Sequence, residues 1–545
     1  MRWIGLICAI SACLGVTPKT KGMTLEFDVV VYGGTAGGIA TGIQVARMGH
    51  TVAVIEPSQH FGGLTSGGLG ATDIGNKAAI GGISREFYQR IKAHYADPTA
   101  WIWQRADQFK SSRRDGKGTD AMWTFEPKVA ERVLVDFATE AGVTLFRESR
   151  LDRENGVSKN GRSITEIRLM NGTRFRAKQF VDATYEGDLM AAAKVSYIVG
   201  REANTEYGET LNGVQTRQAI KHQLQPGVDP YVIQGNSNSG LLPNIEPAGP
   251  GIEGGRDHRV QAYCFRMCNT THEPNRLPFT KPARYRETDF ELLLRNFEAG
   301  AKIEPWHPIG MPNRKTDTNN NQGVSTDYIG QSYDWAEATY EQRDQIFQDH
   351  LTYQQGLMWT LANHPRVPEK IRLKFQRWGN CRDEFTDNAG WPHQLYVREA
   401  RRMLSDYVMT QHHCEGRKIA EHSIGLAAYT MDSHNVQRYV GRDGFAKNEG
   451  DVQVGGFPPY PIAYESIIPK QMECDNLLVP ICLSATHIAY GSIRMEPVFM
   501  VLGQSAATAA CQAIEENRAV QEIDFDRLQR RLLKDKQVLQ WTSHD

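Results

Sequence analysis

The stretch from Asp28 to Glu56 constrains this chain more than any other. Val29, Val30 and Val31 form a β-branched run closed by Gly33 and Gly34, the pattern of a short buried parallel strand. Gly33 allows a tight turn, and Gly38 lets the following helix, Ile39 to Met48, pack close to the strand before it stops at Gly49. A second strand, Val52 to Ile55, delivers Glu56 about 20 residues past the glycines, where an acidic side chain catches a ribose hydroxyl. This is the element order of a dinucleotide fold. Gly33, Gly34, Thr35, Ala36, Gly37 and Gly38 are placed to hold a pyrophosphate on the helix N-terminus. Thr35 stands where the usual fingerprint has its middle glycine. Its Cβ is tolerable if the backbone stays in an allowed region and the hydroxyl donates to phosphate. The alternative is a βαβ unit whose glycines serve packing alone.

Length gives 545 residues, room for two or three domains' worth of core. A charged fraction of 23% and a net charge of −1 leave no basic excess for nucleic acid. The only long apolar run, Ile4 to Val16 behind Arg2, has the layout of a secretory signal, so residues 1–22 are expected to direct export. It is too short to span a bilayer, and no transmembrane span is expected. Ile10–Ser11–Ala12–Cys13 resembles a lipoprotein cleavage box, which would make Cys13 a lipid anchor; a start at Met23 would instead give a cytoplasmic protein. Seven scattered cysteines beyond residue 22 argue against a disulfide framework, with Cys264 and Cys268 read as structural. His412–His413–Cys414 lacks a second ligand pair at zinc-site spacing, so no metal is expected.

Five glycines between Gly62 and Gly70 follow directly on the ribose strand. They bring backbone close to a ligand, and the remainder of a flavin is the natural one, with Gly62, Gly63, Leu64 and Thr65 beside its ribityl chain and ring. His60 is either a polar turn residue or a covalent flavin attachment point. Residues 76–120 read as a helical, charged insertion. Pro127 then opens a helix, Val143 to Phe146 form a strand, and a hairpin from Ile164 leads to Asp182, Ala183 and Thr184, which are assigned to the cofactor because the chain there returns to the nucleotide layer.

Residues 216–455 change character, with more prolines and five tryptophans, and read as a mixed α+β domain covering the substrate. Residues 456–520 come back to the cofactor: a strand from Leu477 to Pro480, then a helix opened by Pro497. Arg494 and Glu496 at its start, with Gly503 and Gln504 further along, are assigned to the flavin, where bare N–H groups stabilise charge at N1 and C2=O. Residues 521–545 are a charged terminal helix. The fold class is therefore α/β: a Rossmann-like FAD-binding domain of glutathione-reductase type, assembled from residues 24–215 and 456–520, with an inserted mixed α+β substrate domain.

With these pieces placed, the chain resembles the FAD-dependent oxidoreductase family that also carries a xanthan-lyase-like label. The match lies in Val31 to Gly38, Gly62–Gly63–Leu64, Asp182 to Asp188, Tyr396 to Arg402, Ser484 to His487 and Ser492 to Pro497. Thr35 is usual in that family. The resemblance implies FAD; the lyase label carries no chemistry with it.

Hydride transfer between a substrate and flavin N5 requires a base for the substrate's proton. His487, on the loop expected to pass the flavin, is the first candidate, with Tyr490 sharing the relay. Its alternative is a loop-capping histidine. Arg398, Arg401 and Arg402 are read on one helix, where Arg398 and Arg402 share a face and either binds an anionic group or holds charge on reduced flavin. Arg401 is expected to pair with Glu399 or Asp406. Asp432 and His434 form an Asp-x-His pair, an acid–base duo or a simple turn. The expected function is hydride transfer between a polar small molecule, such as a sugar or sugar acid, and FAD. No second dinucleotide motif appears, so electrons come from the substrate or an external donor and pass to an acceptor the sequence does not name. Flavin-assisted, non-redox cleavage of a carbohydrate is one alternative, and a non-catalytic FAD-fold binding protein is another.

Overall fold

The computed structural model describes residues 22–110 and 119–542; the signal-like segment and Cys13 lie outside them. Its base is a seven-stranded sheet built on β1 (Thr24–Tyr32), β2 (Val52–Ile55), β3 (Thr144–Phe146), β4 (Val157–Asn160), β5 (Ser163–Arg168) and β6 (Arg174–Asp182), in the order β3-β2-β1-β6-β5-β4. β1 pairs in parallel with β2 from Val29↔Val52 to Tyr32↔Ile55 and with β6 from Thr24↔Arg174 to Tyr32↔Asp182. β6 then divides its partners. Its first half takes the antiparallel hairpin strand β5, and its second half takes the two-residue strand Leu477–Leu478, which arrives in parallel.

Because β1, β2, β3 and β6 run the same way, their carboxyl ends share one edge. Gly33, Glu56, Arg147 and Ala183 all emerge there, at the crevice where open α/β sheets bind ligands. Val29, Val31 and Val54 of this sheet are fully buried under α1 (Ala36–Arg47), as their unbroken apolar run requires. The helices α2 (Gly82–Ala96) and α3 (Pro127–Ala141) pack beside α1. Two further helices follow late in the chain, α4 (His487–Ile493) and α5 (Glu496–Glu516). By length and composition α5 alone among the described helices could cross a membrane, but 94% of its apolar window is buried inside the protein.

A second sheet, wholly antiparallel, contains β7 (Met267–Thr270), β8 (Arg276–Pro278), β9 (Trp306–Met311), β10 (Lys315–Asn320) and β11 (Gly379–Cys381), in the order β9-β10-β7-β11-β8. It braces the glycine loop of the first sheet: Asp317 on β10 accepts the Ala71 amide at 3.0 Å and holds the Arg266 guanidinium through two bonds of 2.8 and 2.6 Å.

A local expectation fails. Residues around Arg398 are not helical: the segment runs extended into the short strand Arg402–Met403, which pairs with Tyr197–Ile198. Helical spacing therefore does not relate Arg398 to Arg402. Local propensity favoured a helix, but each of these arginines has a buried carboxylate partner, and meeting those partners requires extended backbone.

Candidate active site

The cofactor cleft is built from the glycine turn upward. Thr35 caps α1, its hydroxyl accepting the Gly38 amide at 3.1 Å and donating to the Ala183 carbonyl at 2.9 Å. That proton is spent within the protein, so the hydroxyl does not donate to phosphate as expected. The Thr35 hydroxyl ties the turn to β6, and Thr35 itself keeps an extended φ of −62° and ψ of 170°. The N–H groups of the first turn of α1, from Ala36 and Gly37, remain the anion-facing donors. Glu56 lies behind them. Its carboxylate accepts Gly34 N–H at 2.7 Å and Ser58 N–H at 2.8 Å, while burial pushes its pKa up.

Asp182, Ala183 and Thr184 were assigned to the cofactor, but their polar atoms close an internal turn. Asp182 accepts the Thr184 amide and hydroxyl and the Met190 amide, and burial lifts its pKa to about 6. The Ala183–Thr184 backbone packs so tightly on Gly33 that a Cβ there would meet it at 2.4 Å. Gly503 and Gln504 also leave the cofactor list. A Cβ on Gly503 would sit 2.2 Å from the Gly37 carbonyl oxygen, so this glycine seats α5 against α1; Gln504 accepts the Ile83 amide at 2.8 Å.

Gly62 and Gly63 have left-handed backbone, with φ of 100° and 53°. Gly62 donates to the Gly34 carbonyl at 2.7 Å, which lays the loop alongside the glycine turn. Leu64 N–H donates to Tyr185 Oη, which in turn donates to Glu496, and Thr65 donates to the same carboxyl group at 2.6 Å. Buried there, Glu496 is pushed up to about 7. It joins three separate segments at the α5 N-terminus. His60 has both ring nitrogens engaged, Nδ1 with Glu131 at 3.0 Å and Nε2 with Asp387 at 2.7 Å, which does not support a covalent attachment.

Arg147 escaped the sequence reading. It follows β3 directly, its guanidinium lies 4.7 Å over the Phe61 ring, and its Nε is buried with no hydrogen-bond partner among the described residues. The usable signal was its place, the first residue beyond a parallel strand. Helix N–H donors, the Glu56 carboxylate and this guanidinium make a set suited to FAD: Ala36 and Gly37 for the pyrophosphate, Glu56 for the ribose, Arg147 at the adenosine end. Glu56→Gln keeps the shape and removes the charge. It should weaken FAD binding about 10- to 100-fold, read by titrating apoprotein with FAD and following flavin fluorescence.

A second cluster lies where residues 396–402, 430–435 and 487–496 meet. His487 is the first residue of α4, not a loop residue, and it is buried: Nδ1 lies 2.8 Å from Glu399 and Nε2 3.1 Å from Ser433. Both nitrogens are therefore spoken for inside the protein. Tyr490 is buried on the same helix, its phenol pushed well up by burial, so it keeps its proton. Arg402 is fully buried on Glu202 at 2.5 Å and the Ala485 carbonyl at 2.6 Å. Arg401 pairs with Asp188 and Glu337, both at 3.0 Å, instead of Glu399 or Asp406. These side chains hold segments together.

His434 is different. Its Nδ1 lies 2.7 Å from Asp327, and its Nε2 only 3.4 Å from Asp432, whose side chain is 17% exposed. Burial and the Arg398 guanidinium push the imidazole pKa down, but Asp327 and Asp432 outweigh them and the net shift is upward. Arg398 holds Asp327 from the far side at 2.6 Å. Arg494 contacts Tyr396 Oη at 2.9 Å and Asp432 at 3.0 and 3.2 Å. Gln261 accepts both the His434 amide and Arg494. The Nε of Arg494 and Nε2 of Gln261 are buried donors without a partner among the described residues. Asp327, Gln261 and Glu399 could not be found as site residues from local sequence, since tertiary folding alone brings them to His434 and His487. Elsewhere the carboxylates of Glu126, Asp383 and Glu384 converge, but the Lys315 ammonium already bridges all three.

Among solved structures, the chain is similar to the anhydrotetracycline hydroxylase OxyS from Streptomyces rimosus at 12% identity, over 33% of this chain and 36% of that one, with a TM-score of 0.22. It is also similar to an L-amino acid deaminase from Proteus vulgaris at 17% identity, over 36% and 55%, TM-score 0.24. A geranylgeranyl bacteriochlorophyll reductase-like protein from Thermoplasma acidophilum aligns over 94% of this chain and 83% of that one, at 11% identity and a TM-score of 0.33. The chain spans about a third to a half of the length of the first structures it matches. No curated protein matches its sequence. Residues 28–532 match the family of FAD dependent oxidoreductases, and this chain belongs to it.

Proposed function

We propose that this oxidoreductase removes a hydride from a polar, hydroxyl- or amine-bearing small molecule, a sugar or sugar acid being the best fit, with His434 as the base. Bound FAD supplies a two-electron acceptor at N5. The chain's residues supply the rest. Asp327 fixes the His434 tautomer through Nδ1 and stabilises the imidazolium that forms, as a carboxylate does behind any catalytic imidazole. The long 3.4 Å contact to Asp432 is the one a substrate hydroxyl can replace at Nε2. Asp432 offers an acceptor to a further hydroxyl, and the unpaired donors of Arg494 and Gln261 suit a carboxylate or carbonyl oxygen.

The observation that carries this reading is the carboxylate–imidazole–carboxylate line through His434, with its partly exposed end. His487, closed off by Glu399 and Ser433, then acts as a positioning residue that holds the strand leading to His434. Mixing the FAD-loaded enzyme anaerobically with sugars, uronic and aldonic acids, amines and 2-hydroxy acids tests the proposal. At least one sugar or sugar acid should bleach the oxidised flavin. Product formed without any bleaching would favour non-redox cleavage instead.

A further inference from the structure

Seven described cysteines stand as buried free thiols, and two of them face each other. β7 and β11 pair antiparallel with Asn269 opposite Asn380 and Thr270 opposite Gly379. One step further along the same register sets Cys268 against Cys381, and their sulfurs are 3.6 Å apart. Neither side chain is exposed, and the pair packs with Met311 and Phe385 in a small apolar cluster of its own. Directly opposed residues of an antiparallel pair have Cα atoms about 4.5 to 5.5 Å apart, inside the range that a disulfide spans. A modest rotation about the two Cα–Cβ bonds closes the gap.

We propose that Cys268 and Cys381 are a cross-linking site, joined as a disulfide when the chain folds under oxidising conditions. The oxidant is a small or protein disulfide, such as oxidised glutathione. One S–S bond forms between Cys268 and Cys381, the S–S bond of the oxidant breaks, and the two protons leave on its two thiols. Burial pushes the Cys268 thiol well up and makes it a poor nucleophile once packed, so the bond forms during folding, before the sheet closes over it.

The cross-link closes a loop on the order of a hundred residues, long enough for a large effect on the unfolded chain. It also locks the strand that lies beside Asp317, since Cys268 pairs with Asp317 across β7 and β10. Asp317 is the residue that holds Ala71 of the glycine loop and Arg266. The disulfide thus staples the second sheet at the point where it braces the cofactor loop.

The full-length chain is folded with FAD in oxidised glutathione or in dithiothreitol, then denatured and alkylated, and the cysteines are mapped by peptide mass spectrometry. After oxidative folding, Cys268 and Cys381 should escape alkylation together and appear as one linked peptide that reductant separates. The other five described cysteines should alkylate in both samples. The oxidised protein should melt several degrees higher than the reduced one, and Cys381→Ala should remove that difference while freeing Cys268 to alkylate. Full alkylation of both residues after oxidative folding, or linkage of either to another cysteine, overturns the proposal. Peptide mapping of the unmutated chain decides the matter even where the variant folds poorly.

Discussion

Replacing His434 by glutamine should slow flavin bleaching by about 10²- to 10⁴-fold, the usual contribution of a positioned base, while leaving the protein yellow. The cofactor cleft and His434 draw on different segments, so FAD should remain bound at wild-type affinity. The pH profile adds a second signature. The imidazole pKa is raised by Asp327 and Asp432 against burial and Arg398, and the base acts in its neutral form. The wild-type rate should therefore rise with pH through a limb above the ordinary histidine value of about 6.5. Glutamine should abolish that limb. Stopped-flow bleaching across pH checks both, and an unchanged rate with an unchanged limb would dismiss His434 as the base.

The same groups link pH to stability with opposite signs. Asp432 is held at about 2, with His434 and Arg494 outweighing its burial, so its contribution is present above the ordinary carboxylate value and lost as acid titrates it. His434 is raised, so its contribution is full below its unfolded pKa and declines as pH rises through the folded one.

Arg398→Ala should destabilise the fold by about 3–5 kcal/mol, the loss typical when one partner of a buried ion pair is removed. The guanidinium is 1% exposed, lies 4.2 Å over the Tyr396 ring, and bonds Asp327 at 2.6 Å and the Ala262 carbonyl at 2.8 Å. Without it, Asp327 remains buried with His434 alone. The denaturant midpoint should fall, and the acid limb of the rate should move to higher pH, because a cation that repelled the imidazolium is gone. Arg398→Lys should recover the charge and part of the limb, but not the two-point contact. A variant as stable as wild type, with its limb unmoved, would show that Arg398 neither supports Asp327 nor tunes His434.

What could be read from the sequence depended on how local the determinant was. The Val29–Glu56 unit was legible because its strand, turn, helix and acidic residue are consecutive, and each carries its own backbone signal. The α3 start at Pro127 and the hairpin into β6 were legible for the same reason. The spacing of Arg398 and Arg402 points to a helix, whereas buried partners at Asp327 and Glu202 draw the segment into extended backbone. Gly503 looked like a cofactor glycine because small residues mark close approach; it does approach closely, but the neighbour is Gly37 of α1. The place of His487 close before a helix start makes it more conspicuous in the sequence than His434. Only the fold reveals that Glu399 and Ser433 occupy both of its nitrogens.

The divided partnership of β6 has a consequence for how the chain matures. As the ribosome releases the protein, β1 to β6 can assemble with their hairpin, yet the second half of β6 keeps an open edge until Leu477 and Leu478 emerge almost three hundred residues later. α5, which seats against α1 beside the glycine turn, emerges later still. Nascent chains ending before residue 477 therefore carry the whole nucleotide fingerprint but an unfinished cleft, with an exposed strand edge that invites mispairing. Cofactor capture belongs to the last stage of synthesis.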